Sequence, residues 1–207
     1  MLSPFRNLVR NCRPIRICND DVTTGSRVGG YAPEGVLPPV LNSLTRYFAT
    51  VTLDEAHDLS IFLGMDYDEG SPTSLWQNVV KLHSIGSDLV QCVIHGSSAR
   101  SFEGFLVSEL DGHALEIGDE RPDISVEPKG PLLIPCKIGG RPYFYYDNRA
   151  YMASIDRLFN EGFIYLLQFT CPSAKETPKG EWPFFEFTFH LFAKETAAGI
   201  IWSYGWG

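Results

Sequence analysis

Apolar positions alternate with a period of two in parts of this chain, as in LSIFL and PFFEFTFHLF. Six runs, these two among them, are rich in aromatic and β-branched residues, which is typical of strands. They are RYFATVTL (46–53), LSIFL (59–63), DLVQCVIHG (88–96), FIYLLQFT (163–170), PFFEFTFHLF (183–192) and GIIWSYGW (199–206). The second run is ambiguous, since Thr52 and Glu55 could form the capping box of a helix. The alternation of Leu59, Ile61 and Leu63 favours a strand.

Two segments have helical spacing instead. SPTSLWQNVVKLHSIG (71–86) places Leu75, Val79 and Leu82 on one helical face and ends at Gly86. NRAYMASIDRLFNEG (148–162) groups a second set of apolar residues on one face, with Asn148 as a capping residue and Gly162 as a stop. That set is Tyr151, Ile155, Leu158 and Phe159. We predict a helix in each segment.

Two dipeptides indicate hairpin turns. Asp111-Gly112 separates two strand-like runs and supplies the positive φ angles of a two-residue turn. Gly139-Gly140 predicts a second hairpin within PLLIPCKIGGRPYFYY (131–146), where Pro135 and Pro142 would need edge positions. Strands joined by hairpins, with two or three helices, predict an α+β fold built on a mainly antiparallel sheet.

The glycine pair occurs twice, in VGGYAPEGV (28–36) and in KIGGRPYFYY (137–146). Each copy is followed by a proline, then a strong strand and a second strand-like run. This order predicts a single domain, 1–207, with possible half-repeats at 19–100 and 128–207. An acidic hairpin at 103–127 would join the two halves.

These glycine-glycine-proline openings, together with YLLQF and KGEWPFFEFTFHLF, resemble the YwqG-like family of bacterial proteins and the related programmed-cell-death-2-like proteins. The resemblance covers about residues 27–63 and 136–192 and includes no catalytic motif. The first half departs from the family pattern, because RYFATVTL lacks the glutamine of YLLQF. The family implies a two-half α+β architecture and does not imply an agreed activity.

Composition is that of an ordinary globular protein, with 44% hydrophobic and 20% charged residues. Apolar stretches are too short for a spanning helix, so we expect a cytoplasmic protein with no membrane partner. Five widely spread cysteines without a CxxC motif favour reduced thiols. The N-terminal residues 1–18 are predicted to form an arm or an edge strand.

Charge is unevenly distributed. The net charge is −8, but residues 1–18 contain four arginines and no acid, which leaves −12 on the rest of the chain. Nucleic-acid binding requires a basic footprint, so a nucleic-acid partner is excluded. An acidic body instead favours a basic partner and speeds its encounter.

The sequence contains neither a P-loop nor GxGxxG, and near-matches to other motifs fail. HGSSARS (95–101) has Arg100 where a nucleophile elbow needs glycine, so Ser98 is a polar loop residue in the favoured interpretation. DYDEGSPTSLWQ (66–77) ends in Gln77 rather than the glutamate of a calcium loop. Cys92 and His95 lie three apart on a predicted strand and so point to opposite faces. We therefore predict no catalytic residue, metal or cofactor.

Acidic residues around the predicted hairpin give residues 103–127 a net charge of −7. A solvated surface and a docking surface for a basic partner both fit this pattern. We predict partner-binding residues in this segment and in the acidic turn before residue 71. They are Glu109, Asp111, Glu116, Asp119, Glu120, Asp123, Asp66, Asp68 and Glu69.

The character of the chain is similar to that of bacterial immunity proteins. We expect a non-enzymatic binding protein that neutralises a cognate basic toxin, for example a nuclease effector delivered by type VI secretion. Two alternatives stay open: a YwqG-like enzyme of unknown chemistry with a site around Ser98 and His95, and an adaptor or chaperone-like module.

Overall fold

The computed structural model describes residues 10–18, 25–41, 45–64, 81–83, 90–97, 108, 110–123, 136–143, 149–170 and 188–206. These residues form twelve strands and one helix. The strands are β1 (Asn11–Ile17), β2 (Arg27–Val28), β3 (Thr45–Thr52), β4 (His57–Gly64), β5 (Lys81–His83), β6 (Val90–Gly96), β7 (His113–Ile117), β8 (Arg121–Pro122), β9 (Lys137–Gly139), β10 (Ile164–Thr170), β11 (Thr188–Thr196) and β12 (Gly199–Trp206). The helix α1 spans Arg149–Asn160.

All the strands belong to one sheet, with the order β5-β12-β11-β10-β9-β1-β7-β2-β3-β4-β6 and β8 paired to β1. Each pairing between described strands is antiparallel. The sheet curves until β6, at one end, approaches β12 near the other, and it thereby nearly closes into a barrel.

The main core fills the inside of this curved sheet. Phe48 of β3 packs edge-to-face on Phe169 of β10 at 5.3 Å between ring centroids, and on Phe189 of β11 at 6.4 Å. These rings join the two arms of the sheet across the interior, since β3 and β10 are not neighbours in the strand order. Aromatic pairs in this geometry contribute beyond their buried area.

Two covering segments bury the outer face. Ile155 and Leu158 of α1 pack on Tyr165 and Phe192. On the opposite arm, residues 31–41, here called the strap, place Ala32 and Val36 against Tyr47 and Phe62. The buried Gln91 fixes the strap, because its amide accepts from the Val40 N–H at 2.6 Å and donates to the Val40 carbonyl at 2.8 Å. The outer face is therefore as deeply buried as the inner one at these places.

The predicted strands at 46–53, 59–63, 163–170 and 199–206 are confirmed as β3, β4, β10 and β12. The strand predicted at 88–96 is confirmed as β6 from Val90 onward, and residues 88–89 lie outside the described ranges. For PFFEFTFHLF, the described part is confirmed within β11, and residues 183–187 lie outside the described ranges. The helix predicted over 148–162 is confirmed as α1. It is followed by Gly162, whose φ of 85° suits a helix stop.

The predicted α+β class with two or three helices is wrong. The structure is a mostly antiparallel sheet with one helix in the described part of the chain. Within the helix predicted over 71–86, Lys81–His83 form a strand paired with Tyr204, Ser203 and Trp202 of β12. The edge of β12 offers unpaired backbone N–H and C=O groups, and pairing with them here decides the conformation of 81–83 over the helical spacing of the apolar residues. The rest of 71–86 lies outside the described ranges.

The two predicted hairpins are also wrong. β7, which follows Asp111-Gly112, lies between β1 and β2, and β9 lies between β1 and β10. Both edges of each strand are thus already paired, and no hairpin partner fits beside it. For the same reason β1 is a central strand rather than the predicted arm or edge strand. No helix in the described ranges is long and apolar enough to cross a membrane.

Candidate functional site

The predicted partner-binding residues fall into three groups. Asp66, Asp68, Glu69 and Glu109 lie outside the described residues. Asp111, Glu116, Asp119 and Glu120 are exposed on and beside β7. Asp123 differs from both groups, because its side chain is only 1% exposed. Their role as partner contacts stays a prediction.

The acidic segment has basic neighbours that are about a hundred residues away in the sequence. β1, with its arginines, runs antiparallel to β7 and β8. Arg16 forms an ion pair with Glu116, and the Asn11 amide donates to Glu120 Oε1 at 2.7 Å. Part of the negative charge is therefore neutralised within the sheet. Asp111 and Asp119 form no ion pair with any described residue.

Asp123 and Lys137 form a buried ion pair at the centre of the sheet. Lys137 Nζ donates to Asp123 Oδ2 at 2.6 Å, and the Arg141 N–H donates to the same oxygen at 2.8 Å. Burial lowers the pKa of Lys137, and the neighbouring carboxylate opposes that shift. Burial, together with Asp123, raises the pKa of the nearby Cys12 thiol to about 11. This pair anchors the turn at Gly139-Gly140 to the end of β8.

A polar row continues from Lys137 across the outer face of β9, β10 and β11. Lys137 lies opposite Gln168, which lies opposite His190. The Tyr165 hydroxyl donates to Gln168 Oε1 at 2.8 Å and lies 3.2 Å from His190 Nδ1. Burial and the charge of Lys137 lower the pKa of His190 to about 3, so its imidazole is neutral at physiological pH.

The neutral His190 predicts a pH-dependent stability. The unfolded histidine gains a proton below about pH 6.5 and the folded one does not, so stability falls as pH drops from there toward 3. We expect the free energy of unfolding to fall by about 1.4 kcal/mol per pH unit in this range. Between pH 8 and pH 5, the free energy of unfolding of His190→Gln should therefore fall by about 2 kcal/mol less than that of the wild type. Urea unfolding across this range measures the difference, and Phe192→Leu, destabilised without a titrating group, should keep the wild-type slope.

The other arm of the sheet repeats this row with different residues. Arg27 lies opposite Thr50, which lies opposite Ser60. The Tyr47 hydroxyl donates to Thr50 Oγ1 at 2.7 Å, three residues ahead, as Tyr165 does to Gln168. Burial raises the pKa of Tyr47 to about 12, which keeps this hydroxyl protonated.

The correspondence extends to the irregularities of the sheet. A β-bulge lies between Tyr47 and Ala49 in β3 and between Tyr165 and Leu167 in β10. Both glycine pairs adopt positive φ, at 76° and 69° in the first copy and at 73° and 78° in the second. The predicted half-repeat boundaries at 19–100 and 128–207 stay a prediction. The two ranges are not separate in the sheet, because β5, from the first range, pairs with β12 of the second.

The hydrogen-bond chain of the first arm ends at a half-buried histidine. Thr50 Oγ1 and Ser60 Oγ are 2.8 Å apart, and Ser60 Oγ is 2.8 Å from His95 Nε2. His95 Nδ1 faces the Gly96 carbonyl at 2.9 Å rather than a carboxylate. Because Ser60 is fully buried, its hydroxyl cannot reach a substrate from solvent in this conformation. Ser98, the other residue of the predicted enzyme alternative, lies outside the described residues.

Within the described ranges, no group of three or more His, Cys, Asp or Glu side chains could hold a metal ion.

Sequence reasoning missed the polar rows themselves. A usable signal was present, since a basic residue precedes each apolar-Gly-Gly triplet, as RVGG (27–30) and KIGG (137–140).

No protein-family model, curated protein or solved structure matches this chain.

Proposed function

We propose that this chain is a non-enzymatic binding protein, a bacterial immunity protein that neutralises a cognate basic toxin. One observation carries the proposal. Asp119 and Glu120 project into solvent at the exposed bend between β7 and β8, on a chain of net charge −8. Asp111, also exposed, extends the acidic surface to the other end of β7.

Such a surface suits electrostatic capture of a basic partner. Complementary charge raises association rates and suppresses wrong partners more than it adds affinity. Neither Asp119 nor Glu120 forms an ion pair with a described residue, and Arg16 of the neighbouring β1 is already engaged by Glu116. We therefore place first contact at Asp119 and Glu120, and assign the affinity of the complex to other, less charged contacts.

The test begins with the product of the gene beside this one, co-expressed and co-purified with the chain. We expect a stable complex and rescue of growth from the toxicity of that product. Its association rate, measured by biolayer interferometry, should fall as ionic strength rises, because salt screens exposed charges. The absence of any complex or rescue would refute the proposal.

A paired charge reversal tests the location. Asp119→Lys with Glu120→Lys should slow association about tenfold at low salt and leave thermal stability nearly unchanged. Glu55→Lys with Asp156→Lys, two exposed acids elsewhere, is the matched control and should slow association much less. An equal effect of both pairs would mean that overall charge, and not this bend, directs the encounter.

A further inference from the structure

The strap exposes a cluster of apolar side chains on its outward side. Tyr31 is 38% exposed, Leu37 is 55% exposed and Leu41 is 43% exposed. Within residues 31–41, Glu34 is the one charged residue. Single apolar residues on a surface are common, but three within one short segment form a patch of the kind that marks an interaction site.

These outward residues are not needed to cover the sheet. Ala32 and Val36 are turned inward and pack in the cluster of the outer face. The buried Gln91 holds the Val40 backbone at both its N–H and its carbonyl. The strap is therefore fixed on its inner side, and its outward side chains are presented on a segment that a partner does not have to order at the expense of affinity.

The patch is continuous with the acidic surface. The Gly30 N–H donates to the Leu110 carbonyl at 2.8 Å, so the strap begins where the segment before β7 passes. The residue that follows each of these two is exposed: Tyr31 on one side and Asp111 on the other. An acidic side chain thus borders the apolar patch at its first residue.

Charge indicates what kind of molecule the patch fits. The strap has no lysine or arginine, and its Glu34 is exposed. The helix α1 also exposes apolar side chains, but it exposes Arg157 beside them. A second copy of the chain would bring the same acids and the same net charge of −8 to the patch, so like charges oppose self-association. A basic protein meets no such repulsion.

We propose that the outward side of the strap, formed by Tyr31, Leu37 and Leu41, is the apolar contact that retains the basic partner after Asp119 and Glu120 have captured it. This inference rests on the proposed function and names the less charged contacts of that complex. Interfaces combine an apolar centre, enriched in aromatic residues, with a polar rim. Exposed charge acts mainly on association, whereas loss of an apolar anchor acts mainly on dissociation.

The two rates of the purified complex, measured by biolayer interferometry, test this division. Leu37→Ala with Leu41→Ala should speed dissociation about tenfold or more and leave the association rate within about twofold. Thermal stability should stay nearly unchanged, because both side chains are exposed. Met152→Ala with Phe159→Ala, at 41% and 42% exposure on α1, is the matched control and should dissociate as the wild type does.

The outcomes separate this proposal from the function on which it rests. If the wild type forms the complex and the strap variant dissociates no faster than the control, the strap is not the retaining contact and the immunity function stands. If sedimentation shows self-association that the strap variant abolishes, the patch belongs to a second copy and the proposal is overturned. If the wild type forms no complex, the proposed function fails and this inference fails with it.

Discussion

Asp123→Ala is expected to destabilise the protein by about 3–5 kcal/mol, because it leaves Lys137 as an uncompensated buried charge. The lysine side chain is 0% exposed and cannot turn to solvent without opening the sheet. The substitution also removes the acceptor of the Arg141 N–H, which holds the turn after Gly140. Urea unfolding followed by tryptophan fluorescence measures the loss.

Two variants separate the buried pair from acidity in general. Asp119→Ala removes an exposed acid four residues away and should change the unfolding free energy by less than about 0.5 kcal/mol. Asp123→Leu with Lys137→Met replaces the pair by apolar side chains and should recover much of the loss, since desolvation of both charges is avoided. Equal losses for Asp119→Ala and Asp123→Ala would show that the ion pair contributes no special stability.

The same burial changes how the acidic segment can be tested. Reversing the charge of Asp123 would disrupt folding rather than binding, so only Asp119 and Glu120 belong in a test of association. Sequence alone grouped all three as surface acids, because a run of carboxylates is usually solvated. The partner that distinguishes Asp123 is Lys137, and no local pattern links those two positions.

Strands were predictable because successive residues of a strand point to opposite faces of the sheet, and the sequence shows that period of two. In β11, Phe189, Leu191 and Ala193 face the interior, and Thr188, His190 and Phe192 face the opposite side. That period of two is visible directly in FTFHLF. The covering helix was equally visible, because Ile155 and Leu158 share the face that packs on the sheet.

Strand partners were not predictable, because pairing here is dominated by distant contacts. β1 pairs with β7 about a hundred residues later, and β5 joins the edge of β12. The two hairpin predictions assumed that a turn dipeptide joins neighbouring strands. Here both edges of β7 and of β9 are paired with other strands, so neither Asp111-Gly112 nor Gly139-Gly140 forms the turn of a hairpin.

The polar rows were half-visible in the sequence. RVGG and KIGG show that a basic residue lies two positions before each glycine pair, but nothing local shows that, among the described residues, Lys137 forms an ion pair with a carboxylate and Arg27 forms none. That distinction depends on which side chain comes from a neighbouring strand. Site chemistry in this fold is therefore set by tertiary contacts, while its location is set by the repeated triplet.

Gly29→Ala is expected to destabilise the protein by about 3 kcal/mol or more, through a backbone collision at the first glycine pair. An added Cβ would lie 2.1 Å from the Asp111 carbonyl oxygen and 2.8 Å from Leu110 Cβ. The φ of 76° adds the strain of a left-handed conformation. Neither of these atoms is at the flexible end of a side chain. The collision can therefore be relieved only if the backbone at Gly29, after β2, moves away from Leu110 and Asp111, before β7. Thermal unfolding and urea titration should both show the loss.

Gly35→Ala isolates the conformational part of this effect. Gly35 has nearly the same φ, 74°, but an added Cβ would meet no atom within 4 Å. We expect a loss of about 1–2 kcal/mol there, and the excess at Gly29 then measures the close approach of Asp111. Equal losses at both positions would mean that the first glycine pair serves only as a turn. An excess would show that it lets the acidic segment lie directly against the sheet, where Asp111 and its neighbours reach solvent.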